Sequence, residues 1–354
     1  MKKLNVGIVG LGRISYAHAA EISQYSEYFN LVACADHDPE RLKDAPPQLK
    51  DAAKYASLEE MLQHPDLDMV TIATRHPDHV PMALKVLEAD KIVLVEKPVA
   101  TSLAEMDVML EMGKKHPHKL FVRHNHRFDP HFVRALELMK SGLVGEPQYI
   151  KLTAAVGFCR RNDWMTMTEY YGGLLSNWGP HLIDQALQYL ESPVVDIWAD
   201  VRRVVSIGDG DDLCKIILKG ANNRLVEIEI TGANLLLGRD IEIIGNRGTI
   251  VYEKGKLFAK YIDPLCELKD LKPHPENPPK RYGNFDEKLY FVTSEYETPV
   301  CNQEILWKYL YDDAVNGIPT PITLELAREV VRITEEAFRI SGFENIKNFK
   351  SKVL

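Results

Sequence analysis

Apolar positions in the first third of the chain come as short unbroken runs, separated by longer stretches with helical spacing. Leu4-Asn5-Val6-Gly7-Ile8-Val9, Leu31-Val32-Ala33-Cys34-Ala35, Met69-Val70-Thr71-Ile72-Ala73, Ile92-Val93-Leu94-Val95 and residues 120–123 read as strands, the longest runs as strands buried on both faces. Helical stretches are expected at 16–25, 77–89 and 103–115, and Ser57-Leu58-Glu59-Glu60 has the form of a capped helix start. Strands alternating with helices predict an α/β Rossmann-type domain with a parallel sheet over residues 1–124.

Beyond residue 124 the pattern changes. After a helix at 131–141, residues 148–156, 194–205, 213–218, 225–231, 240–244, 248–252 and 257–262 read as strands. With few helices between them they predict an α+β domain over 125–354 built on a large, mainly antiparallel sheet. The alternation in Val226-Glu227-Ile228-Glu229-Ile230 gives that sheet one buried and one more polar face. Residues 268–296, rich in Pro, Lys, Glu and Asn, are expected to form a surface excursion. Two helices, 303–315 and 324–341, close the chain and are placed to pack back on the first domain.

Composition works mainly by exclusion. A 354-residue chain with 45% hydrophobic and 27% charged residues has ample material for two cores. A net charge of -8 argues against a nucleic-acid or anionic-membrane partner. Cys34, Cys159, Cys214, Cys266 and Cys301 are scattered, odd in number and without a C-x-x-C pair, which predicts reduced thiols and a cytoplasmic location. Lys2 and Lys3 precede an apolar run, but Gly7, Gly10, Gly12 and Arg13 interrupt it, so no secretory leader is expected. No run is long enough to span a bilayer. The histidines do not fall into ligand clusters, so no metal is implied.

Candidate chemistry collects where strands end. Gly10-Leu11-Gly12-Arg13-Ile14-Ser15 follows the first strand and opens a helix, the setting in which a G-x-G-x-x-[GS] turn binds a dinucleotide pyrophosphate. Asp36 ends the second strand, where a carboxylate binds the adenosine ribose and repels a 2′-phosphate. His37-Asp38-Pro39 supplies no arginine to offset that repulsion, so NAD is preferred over NADP. Glu96 and Lys97 arrive at the end of the Ile92–Val95 strand, and Pro98 stops the ladder. His124-Asn125-His126-Arg127 follows the last Rossmann strand; Asn125 and Arg127 are the candidates for the cleft there, and His124 is read as structural. In the second domain, Gly172-Gly173 opens a helix on which Asn177, His181 and Asp184 share a face. Upstream, Arg160, Arg161 and Trp164 interrupt the sheet; Trp164 and Arg161 suit contacts to sugar hydroxyls.

Taken together, Gly10-Leu11-Gly12, Asp36, Thr74 with His76 and His79 in Thr-Arg-His-Pro-Asp-His, Glu96-Lys97-Pro98, Arg127-Phe128-Asp129-Pro130, Gly145-Glu146-Pro147 and His181 resemble the Gfo/Idh/MocA family of NAD(P)-dependent oxidoreductases. The likeness spans nearly the whole chain. It implies NAD held by Gly10, Gly12, Arg13, Ile14, Asp36, His37, Thr74, His76, His79, Glu96, Lys97 and Asn125. It also implies an open-faced sheet used for a homodimer or homotetramer. Lys97 and His181 would be catalytic, with Asn177, Arg127, Trp164 and Arg161 at the substrate. The family usually carries Asp-x-x-x-His in this helix; Asn177 departs from it, since an amide orients but takes no proton.

The function expected is NAD-dependent oxidation of a secondary hydroxyl of a sugar, sugar derivative or cyclitol. Two other readings share the opening residues: a glycoside-cleaving or lyase-like enzyme in which NAD oxidises the sugar transiently, and a non-catalytic NAD-binding sensor or scaffold.

Overall fold

The computed structural model describes residues 2–236, 238–273, 275–276, 287–299 and 302–343. Cys301 and part of the expected surface excursion lie outside these. Among the described residues the chain forms two sheets. The first is built from β1 (Leu4–Val9), β2 (Phe29–Ala35), β3 (Ala53–Tyr55), β4 (Met69–Ile72), β5 (Ile92–Val95) and β6 (Leu120–Val122). Its order is β3-β2-β1-β4-β5-β6, every neighbour parallel. β4 has no exposed residue, as a strand covered by helices on both faces requires, and even its one polar residue, Thr71, is buried. The strand order reverses between β1 and β4, which opens a crevice at their carboxyl ends.

Helices α1 (Arg13–Gln24), α2 (Pro39–Lys43), α3 (Leu58–Met61), α4 (His79–Glu88) and α5 (Leu103–Lys115) connect these strands. Ser57 caps α3 and Ser102 caps α5, each accepting from the N–H three residues on. Asp38 caps α2, a helix too short to show a period in the sequence.

The second sheet comprises β7 (Pro147–Ala155), β8 (Val194–Arg202), β9 (Leu213–Gly220), β10 (Leu225–Thr231), β11 (Arg239–Gly245), β12 (Gly248–Glu253), β13 (Lys256–Ile262) and β14 (Phe291–Tyr296). Its order is β14-β13-β12-β11-β7-β10-β9-β8, antiparallel except where β7 meets β10. β14 corrects one expectation, because it lies within the stretch read as a surface excursion. It pairs only with β13, at the sheet edge, and buries no side chain fully, so it lacks an apolar alternation. Between them, α6 (Pro130–Lys140), α7 (Leu174–Leu190), α8 (Ile305–Asn316) and α9 (Leu324–Ser341) complete the molecule.

Two of these helices set the relation of the sheets. Leu306, Trp307, Leu310 and Tyr311 of α8 join the core of the first sheet, and Trp307 Nε1 donates to Glu21 at 2.8 Å. On α9, Ala327 and Val331 belong to that core, while Val330, Ile333, Ala337 and Phe338 belong to the second. One helix therefore buries two stripes. Each fully buried large apolar side chain contributes about 1.5–3 kcal/mol, which opposes separation of the two halves. No described helix is long and apolar enough to cross a membrane.

Candidate active site

The first cavity, of about 660 Å³, lies over the crevice of the parallel sheet. Gly10 has φ of +89° and a Cβ there would meet the Ala73 carbonyl oxygen at 2.6 Å, so only glycine makes this turn. At Gly12 a Cβ would meet nothing within 4 Å, and Gly12 caps α1 without a side chain. The first-turn N–H groups of α1 thus face open space suited to an anion. Arg13 and Ile14 line it beside them. Asp36 is 4% exposed; its carboxylate accepts from Leu11 N at 2.7 Å and Asp38 N at 2.9 Å, which fixes it at the mouth of the crevice. His37 lies 3.3 Å from it but is otherwise exposed.

Arg41 changes the sequence reading. The three residues after Asp36 hold no arginine, but the short helix α2 turns the chain back and sets Arg41 3.8 Å from the Asp36 carboxylate. Arg41 also lines the cavity, as does Arg75, whose guanidinium sits 4.4 Å over the Tyr170 ring.

Thr74, His76 and His79 form the opposite wall. His79 Nδ1 lies 2.8 Å from the Pro98 carbonyl oxygen and donates to it, tying the β4 turn to the residue after Lys97. His76 Nδ1 donates to Tyr171 O at 3.0 Å, joining the two domains, and burial with His79 nearby pushes its pKa down to about 3. Both rings are neutral links as well as wall. Trp164 packs edge-on against His76 at 4.9 Å, and Arg161, paired with Asp163, lies beside it.

Glu96 is buried and fully committed. Oε1 meets His18 Nε2 at 2.9 Å and Arg123 at 3.1 Å, and Oε2 accepts from Lys97 N at 3.1 Å. Burial alone would raise its pKa, but Arg123 and His18 outweigh that and hold the carboxyl well below the usual range. Arg123 also pairs with Glu21. This buried network was not legible in the sequence, where paired members such as Glu21 and Arg123 stand 102 residues apart.

Lys97 Nζ donates to Asn177 Oδ1 at 2.7 Å and Asn177 O at 2.9 Å. The β5 end of the first domain thereby meets α7 of the second. Burial draws the Lys97 pKa down to about 8; Glu96 opposes this, and Arg123, Arg13 and Arg161 add to it. The start of α7 is held from outside. Gly173, with φ of +126°, offers no cap, and Asp211 takes the Leu175 N–H at 2.7 Å while its carbonyl takes that of Leu174. A Cβ on Gly173 would lie 2.0 Å from Asp211 Oδ1.

One turn beyond Asn177, His181 is 5% exposed and lines a second cavity of about 490 Å³. Burial, then His126 and Lys97, hold its pKa well below 6.5, so the ring is neutral. Its Nδ1 has no hydrogen-bond partner among the described residues, and the His126 ring centroid is 4.1 Å from its own.

Two expected cleft residues are elsewhere. Arg127 is buried in a fork with Asp184, its Nε 2.9 Å from Oδ2, and reaches the Pro321 carbonyl. Neither cavity is lined by it, and its guanidinium is committed to Asp184. Asn125 donates to Gln303 on the approach to α8 and does not line the cofactor cavity. His124, 3.4 Å from Asp184, sits in the same buried cluster.

Residues 4–124 match the family model described as an oxidoreductase family with an NAD-binding Rossmann fold, and residues 132–251 match the GFO/IDH/MocA C-terminal domain. The myo-inositol 2-dehydrogenase of Thermotoga maritima is 27% identical over 70% of this chain and 74% of its own. The inositol 2-dehydrogenase of Acidothermus cellulolyticus is 28% identical over 74% and 76%. Among solved structures, the NAD-binding protein from Listeria innocua superposes with a TM-score of 0.84 at 23% identity, covering 97% of this chain and 98% of that one. GenD2 from gentamicin A biosynthesis, in complex with NAD, gives 0.76 at 21% identity, covering 97% and 95%. At these identities the structures share the fold.

Proposed function

On the premise that the chain belongs to the Gfo/Idh/MocA family of NAD-binding oxidoreductases, we propose that it oxidises a secondary hydroxyl of a sugar, sugar derivative or cyclitol with NAD. The observation that carries this reading is the meeting of Lys97 with α7 one turn before His181, where consecutive residues, Asn177 and Trp178, line the first and the second cavity. Bound nicotinamide would supply the acceptor for the hydride that leaves the carbinol carbon. The open cradle at Gly12 and the fixed carboxylate of Asp36 fit the pyrophosphate and ribose of that cofactor.

Neutral His181 takes the hydroxyl proton as general base. Lys97, held by Asn177, donates to the same oxygen and stabilises negative charge as it develops. Its positive charge also keeps His181 neutral before the proton moves. Asn177 positions both groups and moves no proton itself. Asp36 makes NAD the preferred cofactor over NADP.

The test is NADH formation by purified protein over a panel of sugars and cyclitols. Stoichiometric NADH release supports the reading. Substrate conversion without NADH release would replace it by the transient-oxidation alternative. We further take the protein to be a homodimer or homotetramer joined through the open face of the second sheet. Light scattering that returns 40.2 kDa at micromolar concentration would overturn that.

A further inference from the structure

The cavity beside His181 has an unusual charge balance. Among its described lining residues there is no lysine or arginine, while Asp129 and Asp240 both line it. Asp129 is spent: Oδ2 meets His126 Nδ1 at 2.8 Å and Oδ1 accepts from Gln303 at 2.6 Å. Asp240 is not. Among the described residues its carboxylate has no hydrogen-bond or ion-pair partner, since neighbouring Arg239 turns to Glu242 and Glu253. Burial and nearby Glu253 push its pKa up, the mark of a carboxylate lacking a counter-charge.

Three histidines also line the cavity, of which His126 is paired with Asp129. His181 is neutral, and burial also lowers the His131 pKa. The walls are flat and aromatic: His131 stacks on Tyr252 at 4.4 Å and 10°, and Trp178 stands 5.5 Å from His126 and 6.0 Å from His181. Such faces suit the apolar side of a polyol ring. The volume lies within the range of small-molecule sites, about 300–1,000 Å³.

We propose that Asp240 is a specificity-determining residue that binds a protonated amine on the substrate, so that the substrate is an amino sugar or aminocyclitol. This rests on the reading of the site as a polyol dehydrogenase and names its substrate class. A phosphate or uronate would enter a cavity with no lysine or arginine among its described walls and with an unpaired carboxylate already there, so acidic sugars are disfavoured.

The experiment takes purified protein with NAD and measures kcat/KM for aminodeoxy sugars and aminodeoxyinositols. Each is compared with its hydroxyl parent, its N-acetylated form and, where one exists, its phosphorylated form. The readout is the ratio of amine to hydroxyl parent, in which any general loss of activity cancels. For at least one pair this ratio should exceed about tenfold in the wild type, the scale of a charge-assisted hydrogen bond. N-acetylation should abolish the advantage. Asp240→Asn should lower the ratio about tenfold to a hundredfold, and Asp240→Glu should restore part of it. A ratio near one in the wild type, or one unchanged in Asp240→Asn, overturns the proposal. If nothing is oxidised, calorimetric binding of the same pairs to the NADH-loaded protein decides. Amine-selective binding lost in Asp240→Asn would support the amine site while refuting the dehydrogenase reading; no selectivity would overturn both.

Discussion

Asn177 and His181 stand one turn apart on α7, yet they face cavities of different character. On the Asn177 side Arg13, Arg41, Arg75, Arg161 and Lys97 line the walls together with Asp36, Glu59, Asp78, Glu96 and Asp163; on the His181 side there is no lysine or arginine among the described residues, and Asp129 and Asp240 stand among His126, His131 and His181. The first carries both signs, and its anion site is local: Arg13 stands at the N-terminus of α1, over the Gly12 turn, where a pyrophosphate would sit. The second suits a neutral or cationic ring. On the proposed reading the redox step lies between such ligands, with Lys97 on the wall of the first cavity and His181, one turn of α7 beyond its partner Asn177, on the wall of the second.

The largest effects should come from those two residues. Removing a proton-transfer group typically lowers rate by about 10²–10⁴-fold. His181→Ala and Lys97→Ala should each lose that much kcat, with NAD affinity by fluorescence titration little changed. Wild-type turnover in both variants on a confirmed substrate would remove the pair from the mechanism.

The Asn177 side depends on a buried charge balance. Arg123 neutralises Glu96 and Glu21, and removing one partner of such a set strands the others. Arg123→Met should destabilise the fold by about 3–5 kcal/mol in urea unfolding. The pH dependence has a definite sign. The folded pKa of Glu96 lies below its ordinary 4.5, so its stabilisation is complete above that value and lost as the medium is acidified. In the variant that acid-side loss should shrink. Unchanged stability would mean the network is not what seats Lys97.

A smaller effect concerns the cofactor. Asp36→Ser removes the carboxylate and frees Arg41, 3.8 Å away, to meet a 2′-phosphate. Preference for NAD over NADP should fall by about tenfold or more, roughly 1.4 kcal/mol per decade. Equal preference in the wild type would show that Arg41 already offsets Asp36.

How far each side was legible in the sequence follows from how local its determinants are. Gly10, Gly12, Asp36 and Lys97 do their work at strand ends, and a strand followed by a turn is visible in ten residues. The 3.6-residue period located α7 and put Asn177 and His181 on it. Partners were not legible: Arg127 looked like a cleft residue because Asp184, its buried counter-charge, lies 57 positions away. Arg41 was missed because a five-residue helix has too few turns to show which way it points. Asp240 carried no motif at all; only the sheet order, which sets β11 beside β7, brings it to the wall that His181 lines.

Asn177 offers the finest test, because the structure changes what its substitution should do. From the helix period alone, a carboxylate at this position acts on His181, one turn on. In the structure the amide oxygen is 2.7 Å from Lys97 Nζ, so Asn177→Asp sets the new charge first against the ammonium. Lys97 has a folded pKa drawn down to about 8, and a carboxylate in contact raises it. If the reaction needs charged Lys97, activity falls as pH rises through that value, and in the variant the fall should move to higher pH by about one unit, ~1.4 kcal/mol. The acid limb, set by deprotonation of His181 well below 6.5, should move upward too, but by less, since its distance from the new charge is greater. kcat/KM against pH at saturating NAD reads both limbs. An alkaline limb that stays in place would show that Lys97 does not act as an ammonium at the reacting oxygen; an acid limb that moves further than the alkaline one would return the position to His181.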